Sequence, residues 1–261
     1  MDALYLFKQA ANDNLELRHS LRSIEKHASY IRKVWIFGDK PSFISDDTRV
    51  IEHIPEEYLA RVLGIQAPVR NFFLLILLSS LIPDLDFEYL RFSDDFFLLK
   101  DFPIEEARKD RYFEDLTPPT TQPRGTGMWR DCLWRTRDLL VRLGYTAFNF
   151  EIHAPMFMTR KRVLDAYCEF RDFVTEDRWF GMMGATAILN HAHKHEQTKL
   201  VSIKEENSRA GFWAKPPMTY EAVLEQAQGK TYFNFDDHAF NDHIARFLRK
   251  RYPNRSRFES C

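Results

Sequence analysis

The sequence predicts an α/β protein, a parallel or mixed sheet flanked by helices, with further helices on the C-terminal side. Three observations carry this. Short apolar runs and one helix-period segment follow each other in the order β-α-β-β over residues 3–52. A long apolar segment, 71–82, then leads into another strand-like run at 87–92. Turn-forming residues close each run, and strands that alternate with helices pack as a sheet with helices on its faces.

Ala3-Leu4-Tyr5-Leu6-Phe7 reads as a short buried strand. Asn12-Asp13-Asn14 offers a turn and a helix N-cap. In the helix that follows, Leu15, Leu17, Leu21 and Ile24 form an apolar face, while Arg18 and Arg22 lie one turn apart on another. Val34-Trp35-Ile36-Phe37 is a second strand, closed by Gly38-Asp39-Lys40-Pro41, and a third lies at 49–52. The apolar segment 71–82 is shorter than the about 20 residues that span a bilayer, so it reads as a buried core helix. The strand at 87–92 ends in Ser93-Asp94-Asp95, and open α/β sheets bind ligands beyond the carboxyl ends of their strands. Residues 114–127, rich in Pro, Thr and Gly, read as a long lid or binding loop. A helix at 128–143, a segment at 148–155, helices to about residue 200, a loop at 205–218 and a helical last stretch complete the chain.

Length and composition suit one domain over 1–261: 44% of residues are hydrophobic and 29% charged. The 23 Phe are enough to fill a core and also line a cleft that stacks on a base or sugar. A net charge of −1 gives no global field toward nucleic acid or anionic lipid. Cys132, Cys168 and Cys261 are too scattered for a disulfide framework or a Cys-based zinc site. With no signal-peptide pattern at the N-terminus, the reading is a cytoplasmic protein.

Asp94 and Asp95 are the leading chemical feature. Adjacent carboxylates repel unless a cation or donors hold them, and a divalent metal there can bridge two phosphates and stabilise a departing diphosphate. The plainer reading is a helix cap or solvated turn. In Glu151-Ile152-His153-Ala154-Pro155 an extended chain would place Glu151 and His153 on one side. His153 then suits a general base or metal ligand, against a hydrogen-bonded structural histidine. Arg18 and Arg22, with Asn12 and Asp13, can clamp a diphosphate, or simply pair with Glu16 or Glu25. Asn234-Phe235-Asp236-Asp237-His238 can complete a metal or acceptor site or cap a helix. His191, His193 and His195 read as an exposed helix end, and Glu176-Asp177-Arg178-Trp179-Phe180-Gly181 as a donor contact or a cap. A Gly-rich phosphate loop, a Ser-centred elbow and a Cys/His dyad are all absent.

The order of these segments resembles the Stealth family. The most specific block is Asn12-Asp13-Asn14-Leu15-Glu16-Leu17-Arg18-His19-Ser20-Leu21-Arg22-Ser23-Ile24-Glu25-Lys26. The strand 31–39, Phe92-Ser93-Asp94-Asp95-Phe96-Phe97-Leu98, Ile152-His153-Ala154-Pro155 and Phe233-Asn234-Phe235-Asp236-Asp237 are similar to its later blocks. Stealth members include capsule-polysaccharide sugar-phosphate transferases and glycosyltransferases of bacteria and phages. The resemblance implies a GT-A-like, Rossmann-like sheet, a nucleotide-sugar donor (a UDP-sugar first) and Mn²⁺ or Mg²⁺. It implies a donor-binding half at 1–112 and an acceptor half at 113–261.

The resemblance assigns Asp94 and Asp95 to the metal, and His153, Asp95 and Asp237 to the chemistry. Asp2, Asn12, Asp13, Arg18, Arg22 and Asp94 are assigned to the donor. The acceptor is a glycan hydroxyl or modified DNA, for which Arg124, Arg130, Arg135 and Arg137 are the local basic residues. The opening strand departs from the family: Asp2 is kept, but the Asp-Gly pair of the phosphotransferases is missing. This favours glycosyl transfer over sugar-1-phosphate transfer. A non-catalytic sugar or nucleic-acid binding module is the alternative of another class.

Overall fold

The main sheet is built on Asp2–Phe7 (β1), a strand buried on both faces, which explains why it is apolar almost throughout. In a computed structural model that describes residues 1–9, 14–122 and 125–260, β1 pairs in parallel with Val34–Gly38 (β2) and with Glu88–Phe92 (β4). Ile51–Ile54 (β3) extends β2 in parallel, and Met156–Thr159 (β9) closes the other edge antiparallel to β4. The order is β3-β2-β1-β4-β9. The carboxyl ends of the four parallel strands therefore share one side. At that side β2 ends on Gly38, where a Cβ would stand 2.2 Å from the Phe7 carbonyl oxygen, so only glycine lets the two strand ends run so close.

Helices cover both faces. Leu15–His27 (α1) follows β1 and buries Leu17, Leu21 and Ile24. Glu56–Leu63 (α2) precedes Phe72–Ser80 (α3), which is apolar on every side and wedged between β1 and two later helices, Arg160–Phe170 (α6) and Gly184–Glu196 (α7). Asn71 starts α3 by accepting from the amides of Phe73 and Leu74. No helix among the described residues is long and apolar enough to cross a membrane.

A second, three-stranded sheet lies against the first. Its order is Arg209–Phe212 (β11), Tyr232–Phe235 (β12) and Phe97–Leu98 (β5). Tyr220–Ala227 (α8) and Asp242–Arg251 (α9) cover it around a core of Phe97, Val223, Phe233, Phe235, Ile244 and Phe247. Short pairs complete the molecule. Asp110–Tyr112 (β6), after the single-turn helix Ile104–Ala107 (α4), meets Leu200–Ser202 (β10). Glu114–Asp115 (β7) meets Phe148–Asn149 (β8), with Gly127–Arg142 (α5) between them in the chain.

The expected first strands, first helix and core helix all form, as does the sheet flanked by helices. The C-terminal side departs from expectation. The predicted loop at 205–218 contains β11, the helical tail contains β12, and β9 sits inside the region read as helices. Each is only four residues long and is completed by a partner distant in sequence, so its own pattern is too short to show a period. The main sheet borrows β9 from the second half of the chain, and the second sheet borrows β5 from the first.

Asp2 holds the opposite end of the sheet from the strand carboxyl ends. Its buried carboxylate accepts from Arg32 Nε and Nη2 at 3.0 and 2.7 Å, from the Trp35 indole at 2.8 Å and from the Asp86 amide at 3.0 Å. This removes Asp2 from the predicted donor contacts: it is a brace at the amino ends of β1, β2 and β4. Asp2→Ala should cost about 2–4 kcal/mol, because the buried Trp35 indole and the part-buried Asp86 amide both lose their acceptor. Urea unfolding at neutral pH measures this; a loss under about 1 kcal/mol, the scale of an ordinary surface substitution, would refute it.

Candidate active site

The acidic turn is the bridge between the two sheets. β4 ends at Phe92, β5 begins at Phe97, and Ser93, Asp94, Asp95 and Phe96 make the crossing. The Phe96 amide closes the turn on the Ser93 carbonyl at 3.1 Å. Helix α1 grips this turn through two fully buried serines. Ser20 Oγ donates to the Phe96 carbonyl at 2.6 Å, which uses its only proton, so the Tyr5 hydroxyl is the donor in the 2.7 Å Tyr5–Ser20 bond. Ser23 Oγ accepts from the Leu98 amide at 3.1 Å and donates to the Ser20 carbonyl at 2.7 Å. The Ser20-Leu21-Arg22-Ser23 spacing thus places two hydroxyls on one helix face, opposite the backbone that carries the acidic pair.

Both carboxyls keep some solvent contact, yet the protein around them is close enough to disfavour their charge. Burial, with a smaller contribution from Asp237, raises Asp94 to about 6. Burial followed by repulsion from Asp94 raises Asp95 to about 8, against which the Asn234 amide acts. Asn234 is fully buried on β12, beside Asp95, because β12 runs antiparallel to β5 with Phe233 opposite Phe97. Neither atom of its amide makes a well-formed hydrogen bond. Asp237 lies just beyond β12, exposed, and acts on Asp94 through its charge without lining the cavity described next.

Asp94 and Asp95 open into a cavity of about 400 Å³. The floor holds Arg91 and Glu151. Arg91, 4% exposed, donates to Met156 Sδ at 3.1 Å and leaves Nε without a partner. Burial lowers its pKa, and Glu151 is the strongest opposing charge. Burial raises the Glu151 carboxyl, offset by Arg91 and by the amide and hydroxyl of Thr186 in the first turn of α7. Trp129 and Trp179 supply aromatic walls, and Lys8 and Arg178 line the mouth.

His153 lines the same cavity, although not on an extended chain. Ile152 bonds back to the Phe150 carbonyl at 2.8 Å and His153 takes a left-handed φ of 51°, so Glu151 and His153 reach the cavity from a turn. The imidazole is open to solvent on one side and packed edge-on against Phe96 and Trp213. Crowding by these neighbours first, then the charges of Arg209 and Arg91, lowers its pKa to about 4. His153 is therefore neutral at physiological pH and can accept a proton there.

The structure separates the two helix arginines from this site. Arg22 is bidentate with Glu259, at 2.8 and 2.7 Å, and Arg18 lies over the Phe43 ring 3.7 Å from the same carboxylate. Neither lines the cavity, whose cationic side chains are Lys8, Arg178 and the buried Arg91. Asn12, Asp13 and Arg124 lie outside the described residues. Of the other basic candidates, Arg130 pairs with Asp131, Arg135 bonds to the Trp179 carbonyl, and Arg137 holds Asp138 and the Leu116 carbonyl. His191 and His195 pack on Tyr145. Among the described residues no group of three or more His, Cys, Asp or Glu is placed to hold a metal. Arg91 was missed in the sequence, although a charge amid the apolar residues of a strand is a readable signal. Lys8 and Trp129 give no such signal.

No protein-family model matches the chain, and no curated protein matches it. Mouse xyloside xylosyltransferase 1, in its apo form, is 11% identical over 92% of this chain and 99% of its own, with a TM-score of 0.49. The galactosyltransferase LgtC, in complex with donor and acceptor sugar analogs, is 13% identical over 97% of this chain and 95% of its own, with a TM-score of 0.45. An active-site mutant of LgtC gives 13%, 96%, 95% and 0.46.

Two outcomes follow from the turn. Without metal, both aspartates bind protons more tightly in the folded chain than in the unfolded one, whose carboxyls titrate near about 4. Stability should therefore fall as pH rises from about 4 through about 8. Asp95→Asn removes part of that fall, so its melting temperature in EDTA should exceed wild type increasingly toward pH 8; a gap independent of pH would contradict this. Ser20→Ala should cost about 1–3 kcal/mol in denaturant unfolding, since the Tyr5 hydroxyl and the Phe96 carbonyl both lose their partner.

Proposed function

We propose that the protein is a metal-dependent glycosyltransferase. It moves a sugar from a nucleotide-sugar donor, a UDP-sugar in the leading case, to a hydroxyl of a glycan or modified-DNA acceptor. The observation that carries this reading is the acidic pair, held at the carboxyl ends of parallel strands and opening into a cavity walled by two indoles. That is the usual place for a ligand in such a sheet, and the volume is within the about 300–1,000 Å³ of small-molecule sites. Indoles and paired charges suit the flat C–H faces and hydroxyls of a sugar. The order of Stealth-like blocks and the GT-A-like arrangement they imply support the same reading.

The residues fit a divalent cation. Asp94 and Asp95 are hard oxygen donors whose mutual repulsion a cation would relieve, with Asp237 and the unpartnered Asn234 amide beside them. One or two carboxylates completed by phosphate oxygens and water is the ordinary complement for Mg²⁺, so a larger protein cluster is not required. When bound, the ion supplies charge stabilisation to the leaving diphosphate. Lys8 and Arg178 would hold that diphosphate from the mouth, and Arg91 and Glu151 would orient the sugar hydroxyls.

The neutral His153 would take the proton of the acceptor hydroxyl as its oxygen attacks the anomeric carbon. The bond from that carbon to the diphosphate breaks, and nucleoside diphosphate leaves. Glycosyl transfer is favoured over sugar-phosphate transfer because Asp2, the remaining residue of the phosphotransferase opening block, braces the far end of the sheet.

Incubation with Mn²⁺ and a panel of nucleotide sugars should release free nucleoside diphosphate; nucleoside monophosphate would indicate sugar-phosphate transfer instead. Asp95→Ala should lower turnover at least about 100-fold, roughly 3 kcal/mol in the barrier, with an unchanged circular dichroism spectrum. Failure to bind or turn over any donor in the panel would reject the proposal.

A further inference from the structure

We infer that Arg209, together with His153, forms the acceptor end of this cleft and selects an acidic acceptor, one whose sugar or aglycone carries a carboxylate or phosphate. The inference deepens the reading above and rests on it for the word acceptor; the anion site itself stands on the geometry alone.

Arg209 begins β11 and is partly buried. Its guanidinium is held between two rings, 5.0 Å from the Phe113 centroid and 4.9 Å from the Trp213 centroid. One nitrogen, Nη1, donates to the Ile152 carbonyl at 2.6 Å, next to His153 in the chain. Trp213 in turn packs against the His153 ring at 6.3 Å, so the guanidinium, indole and imidazole are contiguous, and His153 carries the group onto the cavity wall. Among the described residues no carboxylate pairs with Arg209, and removal from water is the one influence on its pKa, lowered to about 10. The acid that acts on His153 is Asp236, whose two oxygens are engaged by the Ala214 and Ala239 amides at 2.8 and 2.9 Å.

Three other partly or fully buried arginines are neutralised by acids, whereas Arg91 has the more distant charge of Glu151 as its strongest opposing one. Arg22, Arg111 and Arg162 each meet one or two carboxylates at hydrogen-bond distance. A desolvated cation without a counter-ion is costly to keep for structure alone. The aromatic faces hold the guanidinium plane and leave its remaining N–H edge for a ligand, which is the geometry that recognises a carboxylate or phosphate bidentately. A neutral imidazole beside it adds a donor or acceptor without a competing charge.

The test titrates the full-length protein with glucose, glucuronate and glucose 6-phosphate, following the ring resonances of His153 by NMR. Glucuronate or glucose 6-phosphate should bind at least about tenfold more tightly than glucose, the scale of one charge-assisted hydrogen bond. Whichever acid binds better identifies carboxylate or phosphate as the natural anion. Arg209→Met should abolish the preference with a melting temperature equal to or above wild type, and Arg209→Lys should keep most of it. Equal binding of all three sugars by wild type would overturn the inference. So would an Arg209→Met protein that unfolds, or that keeps the preference. Because the titration needs neither metal nor donor, it separates from the donor test. Turnover of nucleotide sugars with no preference for acids sinks the acceptor inference alone. Anion selectivity without any donor turnover sinks the transferase reading and leaves the anion site.

Discussion

Two carboxylates side by side in a partly desolvated turn repel each other, and the surrounding architecture is arranged to keep them there. The turn has almost no freedom to relax the repulsion. It is fixed at one end by the last hydrogen-bonded residue of a central strand and at the other by the first residue of the second sheet. Ser20 and Ser23 pin its backbone from the helix above, and the fully buried Tyr5 hydroxyl orients Ser20 from the strand below. Strain of this kind is tolerated where a site needs its ligating groups preorganised, and here it is held by contacts that involve no charge at all.

The positive charges around the cleft are distributed by the same logic. Arg91 is set against Glu151 in the floor, so that pair is nearly neutral and presents hydrogen-bonding edges. Lys8 and Arg178 stand at the mouth, where they meet solvent and any charged ligand. Arg209 stands beyond His153, unmatched and half dehydrated between rings. On the proposed reading the acidic pair would attract a cation and Arg209 an anion, with the neutral His153 packed against Phe96 beside the one and Trp213 beside the other. That polarity is what a reaction in which a metal-bound phosphate departs and a hydroxyl arrives would use.

Residues were legible in the sequence where a local pattern implied a location. Asp94 and Asp95 follow a strand, and the structure has them at its carboxyl end, lining the cavity. His153 lines the cavity from a left-handed turn that no residue pattern announces, since the neighbouring Ala154-Pro155 reads equally well as extended chain. Arg18 and Arg22 show the converse. Their spacing does form a pair on one helix face, yet the carboxylate that claims them is Glu259, more than two hundred residues away in sequence. Asp2 is misread for a related reason: an acid at the start of a strand looks the same whether its partners are a ligand or Arg32, Trp35 and the Asp86 amide.

What the sequence by itself determined is the succession of β1, α1, β2, β3, α3 and β4, because hydrophobic period and turn residues act over a few neighbours. With that came the position of the acidic pair at a strand end. Tertiary structure alone decided the rest of the site. The second sheet exists only because β5 finds β12 across more than a hundred residues, and that pairing is what brings Asn234 beside Asp95 and Asp237 near Asp94. The cavity likewise joins Lys8 from the first strand's end, Arg91 from the fourth, Trp129 from α5 and Ala185 from α7. Long-range pairing depends on which surfaces are complementary after the chain has collapsed, and a one-dimensional pattern does not carry that information.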